Sequence, residues 1–118
     1  METLLLDAGS DVGLIIFPEL ATTGIPKTKA EVENLAENLE TGSSVKKLVE
    51  LAKKSNAYIA TGIAEKADGL LYNSAVLVGP DGVVGKYRKL HLTSVEGSRT
   101  DNLRSNRYPL CGSNHKRR

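Results

Sequence analysis

The chain has 118 residues, 40% hydrophobic and 25% charged, with 16 Lys and Arg against 14 Asp and Glu. That is the composition of one small soluble domain or a piece of a larger one, and it excludes collagen-like, disordered and membrane-spanning classes. The net charge of +2 hides a break: residues 1–96 hold 10 basic and 13 acidic side chains, net −3, whereas residues 97–118 hold six and one, net +5.

Leu4 to Leu6 with Ala8 read as the last turns of a short helix stopped by Gly9-Ser10. Leu14-Ile15-Ile16-Phe17 is continuously apolar, which predicts a strand buried on both faces, closed by Pro18. After a loop from Ala21 to Pro26, Val32, Leu35, Ala36 and Leu39 recur at i, i+3, i+4, i+7 between glutamates. This is an amphipathic helix, N-capped by Thr28 and ended by Gly42. Ser43 or Ser44 caps a second helix, with Val45, Leu48, Val49 and Ala52 inward and Asn56 at its end. Tyr58 to Ile63 and Ser74 to Val78 predict two strands, the second followed by the turn Pro80-Asp81-Gly82, and a last strand runs from Val83 to about Leu92. The fold class is α/β. Beyond Glu96 no apolar periodicity survives, and the basic end reads as irregular, either an electrostatic tail or sequence foreign to the body.

The single cysteine, Cys111, excludes an intrachain disulfide and any CxxC metal pair, and points to a reducing compartment. The longest apolar run is far below the ~20 residues of a membrane span. The start, Met1-Glu2-Thr3, lacks a basic leader region. A cytoplasmic protein is expected, with no membrane contact and no specific nucleic-acid partner.

Glu19 is carried to the carboxyl end of a buried strand, where open α/β sheets place ligands. Burial there would raise its pKa toward that of a working general base. The plainer alternative is a strand-end carboxylate bonded to its own loop. Read as a strand, Lys86 to Leu92 places Tyr87, Lys89 and His91 on one face and Lys86, Arg88, Leu90 and Leu92 on the other. A lysine among apolar neighbours can stabilise an oxyanion. A basic edge strand that resists sheet-to-sheet association accounts for the same residues. His91 taken alone reads as a hydrogen-bonding residue.

Together, Leu14-Ile15-Ile16-Phe17-Pro18-Glu19-Leu20-Ala21-Thr22-Thr23-Gly24 and Gly85-Lys86-Tyr87-Arg88-Lys89-Leu90-His91-Leu92 resemble two of the three catalytic segments of the nitrilase superfamily of carbon–nitrogen hydrolases. Between them Thr61-Gly62-Ile63-Ala64-Glu65-Lys66 and Leu71-Tyr72-Asn73-Ser74-Ala75-Val76-Leu77 resemble its connecting strands, in the same order. The resemblance implies part of an α-β-β-α sandwich and a Glu-Lys-Cys mechanism. A cysteine attacks the amide or nitrile carbon, Glu19 is the general base and then acid, and Lys89 stabilises the tetrahedral intermediate. It also implies an amide, nitrile or N-carbamoyl substrate, no metal or organic cofactor, and homo-oligomers. Glu19 to Gly24 leans toward an amidase or carbamoylase-like member. Glu96 is the candidate for a second glutamate that many members carry, although the aromatic and Pro-Gly residues that usually follow are absent.

The nucleophile segment departs from the family. Cys111 lies in Tyr108-Pro109-Leu110-Cys111-Gly112-Ser113-Asn114, with no acidic residue after it, and reads as an exposed tail thiol. The expected organisation is therefore a partial hydrolase domain at 1–96 and an unrelated basic tail at 97–118, as a frameshift or misjoined exon would produce. A truncated hydrolase inactive by itself is the resulting expectation. A non-catalytic chain that binds a partner or an anionic surface is the competing one.

Overall fold

Two helices and four strands follow from the apolar spacing, and the computed structural model, which describes Thr3 and residues 11–91, arranges them on one sheet. The elements are β1 (Leu14–Ile16), α1 (Lys29–Leu35), α2 (Ser43–Ser55), β2 (Tyr58–Ala67), β3 (Leu70–Gly79) and β4 (Gly82–Arg88). The strand order is β1-β2-β3-β4. β1 runs parallel to β2 across the helical crossover, and β2, β3 and β4 are successive antiparallel neighbours. Asp68 and Gly69, at φ 52 and 73, form the two-residue turn between β2 and β3; positive φ at both central positions matches the right-handed twist of the strands.

Side chains opposite one another in an antiparallel pair share a face. Ile59 and Ile63 of β2 and Val76 and Val78 of β3 thus point together, and α2 covers them with Val45, Leu48, Leu51 and Ala52. Each such aliphatic side chain contributes about 1.5–3 kcal/mol on burial. The main core cluster lies on this face. The opposite face bears Ala60, Gly62, Asn73 and Ala75 and is the more open one, with Ala75 exposed and Ala60 half-buried, although Ala64 and Leu71 on it are buried.

One-sided cover corrects the reading of β1. Ile15 packs against the core, but Leu14 and Ile16 on the other face are 51% and 73% exposed, so the strand is not buried on both sides. The first helix is also shorter than its spacing predicts. Thr28 caps it by accepting from Glu31 N, as expected, but it ends at Leu35. Glu37 then pairs its backbone with β2 instead, donating to Ala64 O at 2.9 Å and accepting from Lys66 N at 2.8 Å. Leu39 still reaches the core, which is why the pattern imitated a longer helix.

Neither serine caps α2. The Ncap is Gly42, and the carboxylate of Glu37 accepts from Ser44 N at 2.9 Å and from Ser44 Oγ at 2.7 Å. A Cβ on Gly42 would meet that carboxylate. An acid at a helix N-terminus satisfies an orphan amide and opposes the helix dipole favourably. Glu37→Ala is expected to cost about 1 kcal/mol, read as a fall in the urea midpoint. Asn56 ends α2 in the left-handed region, at φ 48, as the sequence predicts.

The strands run longer than their apolar runs at the β2–β3 turn, and β4 stops at Arg88 rather than near Leu92. The predicted helix at Leu4 to Ala8, the boundary at Glu96 and the basic tail lie outside the described residues. Among the described residues no helix is long and apolar enough to cross a membrane.

Candidate active site

β1 and Pro18 deliver Glu19 to the more open face. Phe17 N donates to Ala60 O at 2.8 Å and Gly62 N donates to Pro18 O at 3.2 Å, so the chain leaving β1 stays pinned to β2. It then turns tightly: Leu20 sits at φ 51, and Thr23 N and Gly24 N both donate to its carbonyl. A leucine at positive φ costs on the order of 1 kcal/mol or more, and such strain persists only where surroundings enforce it. Burial of the Leu20 side chain does so.

The turn lies so close to β2 that only glycine fits beneath it. A Cβ on Gly62 would meet Leu20 N and stand 2.6 Å from Glu19 Cα. These are backbone atoms, so the added methyl must displace the turn. Gly62→Ala is expected to destabilise the chain by about 1–3 kcal/mol, as overpacking does, and to separate Glu19 from its partners. A denaturant midpoint checks the first effect; loss of cross-peaks between Glu19 and Asn73 checks the second.

Those partners come from β3 and the end of β4. Lys89 N donates to Asn73 O at 2.8 Å, extending the ladder one residue past the last residue of β4. Lys89 Nζ donates to Glu19 Oε1 at 2.8 Å, and Asn73 Nδ2 donates to the same oxygen at 2.6 Å. The two residues singled out in the sequence are thereby brought together across 70 positions. Glu19 is not buried as its strand-end position predicted. Its side chain is 57% exposed and that of Lys89 30%, because they stand on the open face. A cation and an amide contact the carboxylate.

Beside the pair is an open cavity of about 310 Å³ whose lining includes Ile16, Phe17, Ala60, Ala75 and Tyr87. A proton acceptor and a fixed positive charge thus meet at an apolar recess, an arrangement suited to moving a proton beside a developing oxyanion. A larger hollow of about 680 Å³, between α2 and β4, does not include Glu19 or Lys89. Among the described residues no group of three or more His, Cys, Asp or Glu side chains is placed to hold a metal ion. His91 is exposed beyond β4, and Glu96 and Cys111 lie outside the described residues.

Beneath this site, on the helix-covered face, sits a charged cluster. Glu65 is 1% exposed and accepts from Ser74 Oγ at 2.6 Å, Lys86 Nζ at 2.7 Å, and Arg88 Nε and Nη2 at 2.9 and 2.7 Å. Arg88 also stacks on Tyr72, 3.7 Å from the ring centre. Burial pushes the Glu65 carboxyl up, but the hydrogen bonds from Arg88, Lys86 and Ser74 and the Lys86 charge outweigh it and hold it at about 2, below the ordinary 4.5. The same contact with Glu65 raises Arg88. The basic residues of β4 therefore do more than guard an edge.

Sequence reasoning placed Glu19 and Lys89 but assigned nothing to Gly62, Glu65 or Asn73. One signal was present: Glu65 continues the Ile59, Thr61, Ile63 alternation onto a buried face, where a carboxylate needs a partner.

The family model "Carbon-nitrogen hydrolase" matches residues 4–112. A nitrilase of Pyrococcus abyssi is 45% identical over 80 residues, 67% of this chain and 30% of that protein. An (R)-stereoselective amidase of a Pseudomonas species is 35% identical over 88 residues, 75% of this chain and 31% of that one. The crystal structure of an N-terminal amidase with a Gln-Gly peptide superposes with TM-score 0.75 at 27% identity, covering 88% of this chain and 25% of that one. The chain spans about a third of the length of these curated relatives. With a sheet that superposes on a solved amidase and a family match over nearly its whole length, the chain belongs to the carbon–nitrogen hydrolase family.

Proposed function

We propose that residues 11–91 carry the general base, Glu19, and the oxyanion-stabilising lysine, Lys89, of a Glu-Lys-Cys hydrolytic site acting on amides or nitriles. The observation that carries this is the 2.8 Å contact of Lys89 Nζ with Glu19 Oε1 on the open face of the sheet. In the reaction, Glu19 takes the proton of a cysteine thiol as sulfur bonds to the substrate carbon. Lys89 stabilises the anionic tetrahedral adduct. With an amide, Glu19 passes the proton to the departing ammonia and a thioester remains; it then deprotonates the attacking water and gives that proton to the cysteine sulfur as the carboxylic acid leaves. Asn73 holds the carboxylate in place throughout.

The cysteine is to come from outside residues 11–91, and Cys111 is followed by Gly112-Ser113-Asn114 rather than by the aromatic and then acidic residue expected after the family's nucleophile. The 118-residue chain by itself is expected to release no ammonia and to form no acyl adduct on Cys111, as read by intact mass; a trapped adduct would overturn this. The roles of Glu19 and Lys89 are tested in a chimera in which residues 11–91 replace the matching segment of the Pyrococcus abyssi nitrilase. Ammonia release that depends on both residues is expected. A folded chimera indifferent to them sinks the assignment. The second reading, a non-catalytic chain that docks on a partner, draws on the exposure of Leu14 and Ile16, and a folded but inactive chimera would favour it.

A further inference from the structure

We propose that Glu65 is a positioning residue for the site: by clamping Ser74 and Arg88 from the helix-covered face, it fixes Asn73 and Lys89 against Glu19 on the open face. This rests on the roles given to Glu19 and Lys89 above.

Ser74 and Arg88 are Cα partners across β3 and β4, and Glu65 bonds both. Successive residues along a strand point to opposite faces. Asn73 precedes Ser74 and Lys89 follows Arg88, and these two are joined by the hydrogen bond from Lys89 N to Asn73 O. One buried carboxylate therefore ties together the rung adjacent to the one that bears both partners of Glu19. Lys89 lies just past the end of β4, the outermost strand among the described residues, where a ladder frays most readily. The fork of Arg88 on Glu65 and its stacking on Tyr72 hold that end.

Energetics favour direction over stability as the use of these charges. Desolvating an acid and a guanidinium returns little net stability compared with apolar residues of the same volume. A bidentate Arg–carboxylate pair, however, permits few geometries, and aliphatic packing permits many. The placement of Asn73 Nδ2 and Lys89 Nζ on a single oxygen of Glu19 requires such a fixed rung.

The test uses the 118-residue chain and needs no hydrolysis. The side-chain amide of Asn73 and the ammonium of Lys89 are followed by NMR, with Glu19→Ala, which removes the acceptor, as the reference for a broken site. Two variants probe the clamp: Glu65→Gln, and the double variant Glu65→Met with Arg88→Met, which removes both charges together and so leaves no guanidinium unpaired. In at least one of them the sheet amides are expected to stay protected. In that variant the Asn73 and Lys89 signals should move toward those of Glu19→Ala, with exchange of the Asn73 amide faster by about tenfold or more. A folded variant with both signals unmoved overturns the proposal. Collapse of the sheet in both variants also overturns it, leaving Glu65 a purely structural role. Signals that respond to Glu65 while the chimera stays inactive would sink the proposed chemistry and keep the positioning role.

Discussion

In the active chimera, Glu19→Gln is expected to lower kcat by about 10²- to 10⁴-fold, the range of a lost general base, and Lys89→Met by about 10²- to 10³-fold, that of a lost oxyanion donor. Gln preserves the shape of Glu19 and its capacity to accept from Asn73 and Lys89, but it cannot take the thiol proton. Met keeps the apolar stem of Lys89 and removes only the charge. In the proposed roles both residues act on the reacting atoms more than on substrate affinity, so KM should change little while kcat and kcat/KM fall together. The double variant should be scarcely worse than the worse single one, because members of one catalytic unit fail together. Losses that multiply, or a rise in KM at constant kcat, would mean that the pair binds substrate without taking part in the chemistry.

Glu65 carries the second large effect, on stability. Truncation to Ala would leave Arg88, whose side chain is 19% exposed, beside a vacated buried site, and breaking a buried pair in this way costs about 3–5 kcal/mol. Against the ~5–15 kcal/mol that holds a small domain together, this is a large share. The same group makes the fold sensitive to acid. Its carboxyl is held at about 2 in the folded chain against an ordinary 4.5. Between these values the unfolded chain binds the proton and the folded chain does not, so stability falls as pH falls. The contribution, on the order of 3 kcal/mol, is whole above pH 4.5 and lost progressively as pH drops toward 2. Urea midpoints measured from pH 6 to pH 2 should show this decline. The double variant Glu65→Met with Arg88→Met should show a shallower one, since only the remaining carboxylates titrate. An equal slope in the two chains would place the acid sensitivity elsewhere.

Local pattern carried most of the element order. The 3.6-residue spacing found both helices, and apolar runs bounded by Gly, Pro and Asp found the four strands. Boundaries failed where a contact distant in sequence competed with local preference. The helix at Val32 to Leu39 is cut short because the Glu37 backbone finds partners on β2, and the Ser43 and Ser44 caps are displaced because the Glu37 carboxylate reaches the same amide. Neither partner lies within a helical turn of the residue it affects. Solvent exposure at β1 failed for a related reason: an apolar run records that a strand is suited to burial on both faces, and the described helices cover only one.

Sequence alone determined that this is an α/β chain of aliphatic core, that it resembles the carbon–nitrogen hydrolases, and that Glu19 and Lys89 are the residues to examine. Those conclusions rest on residue types and their order, which the linear chain states directly. Tertiary structure decided that the two meet at 2.8 Å, that Asn73 joins them, that Gly62 must lack a side chain, and that Glu65 holds Ser74 and Arg88 behind them. Each of these depends on the register of β2, β3 and β4, and a shift of one residue would turn every side chain concerned to the opposite face.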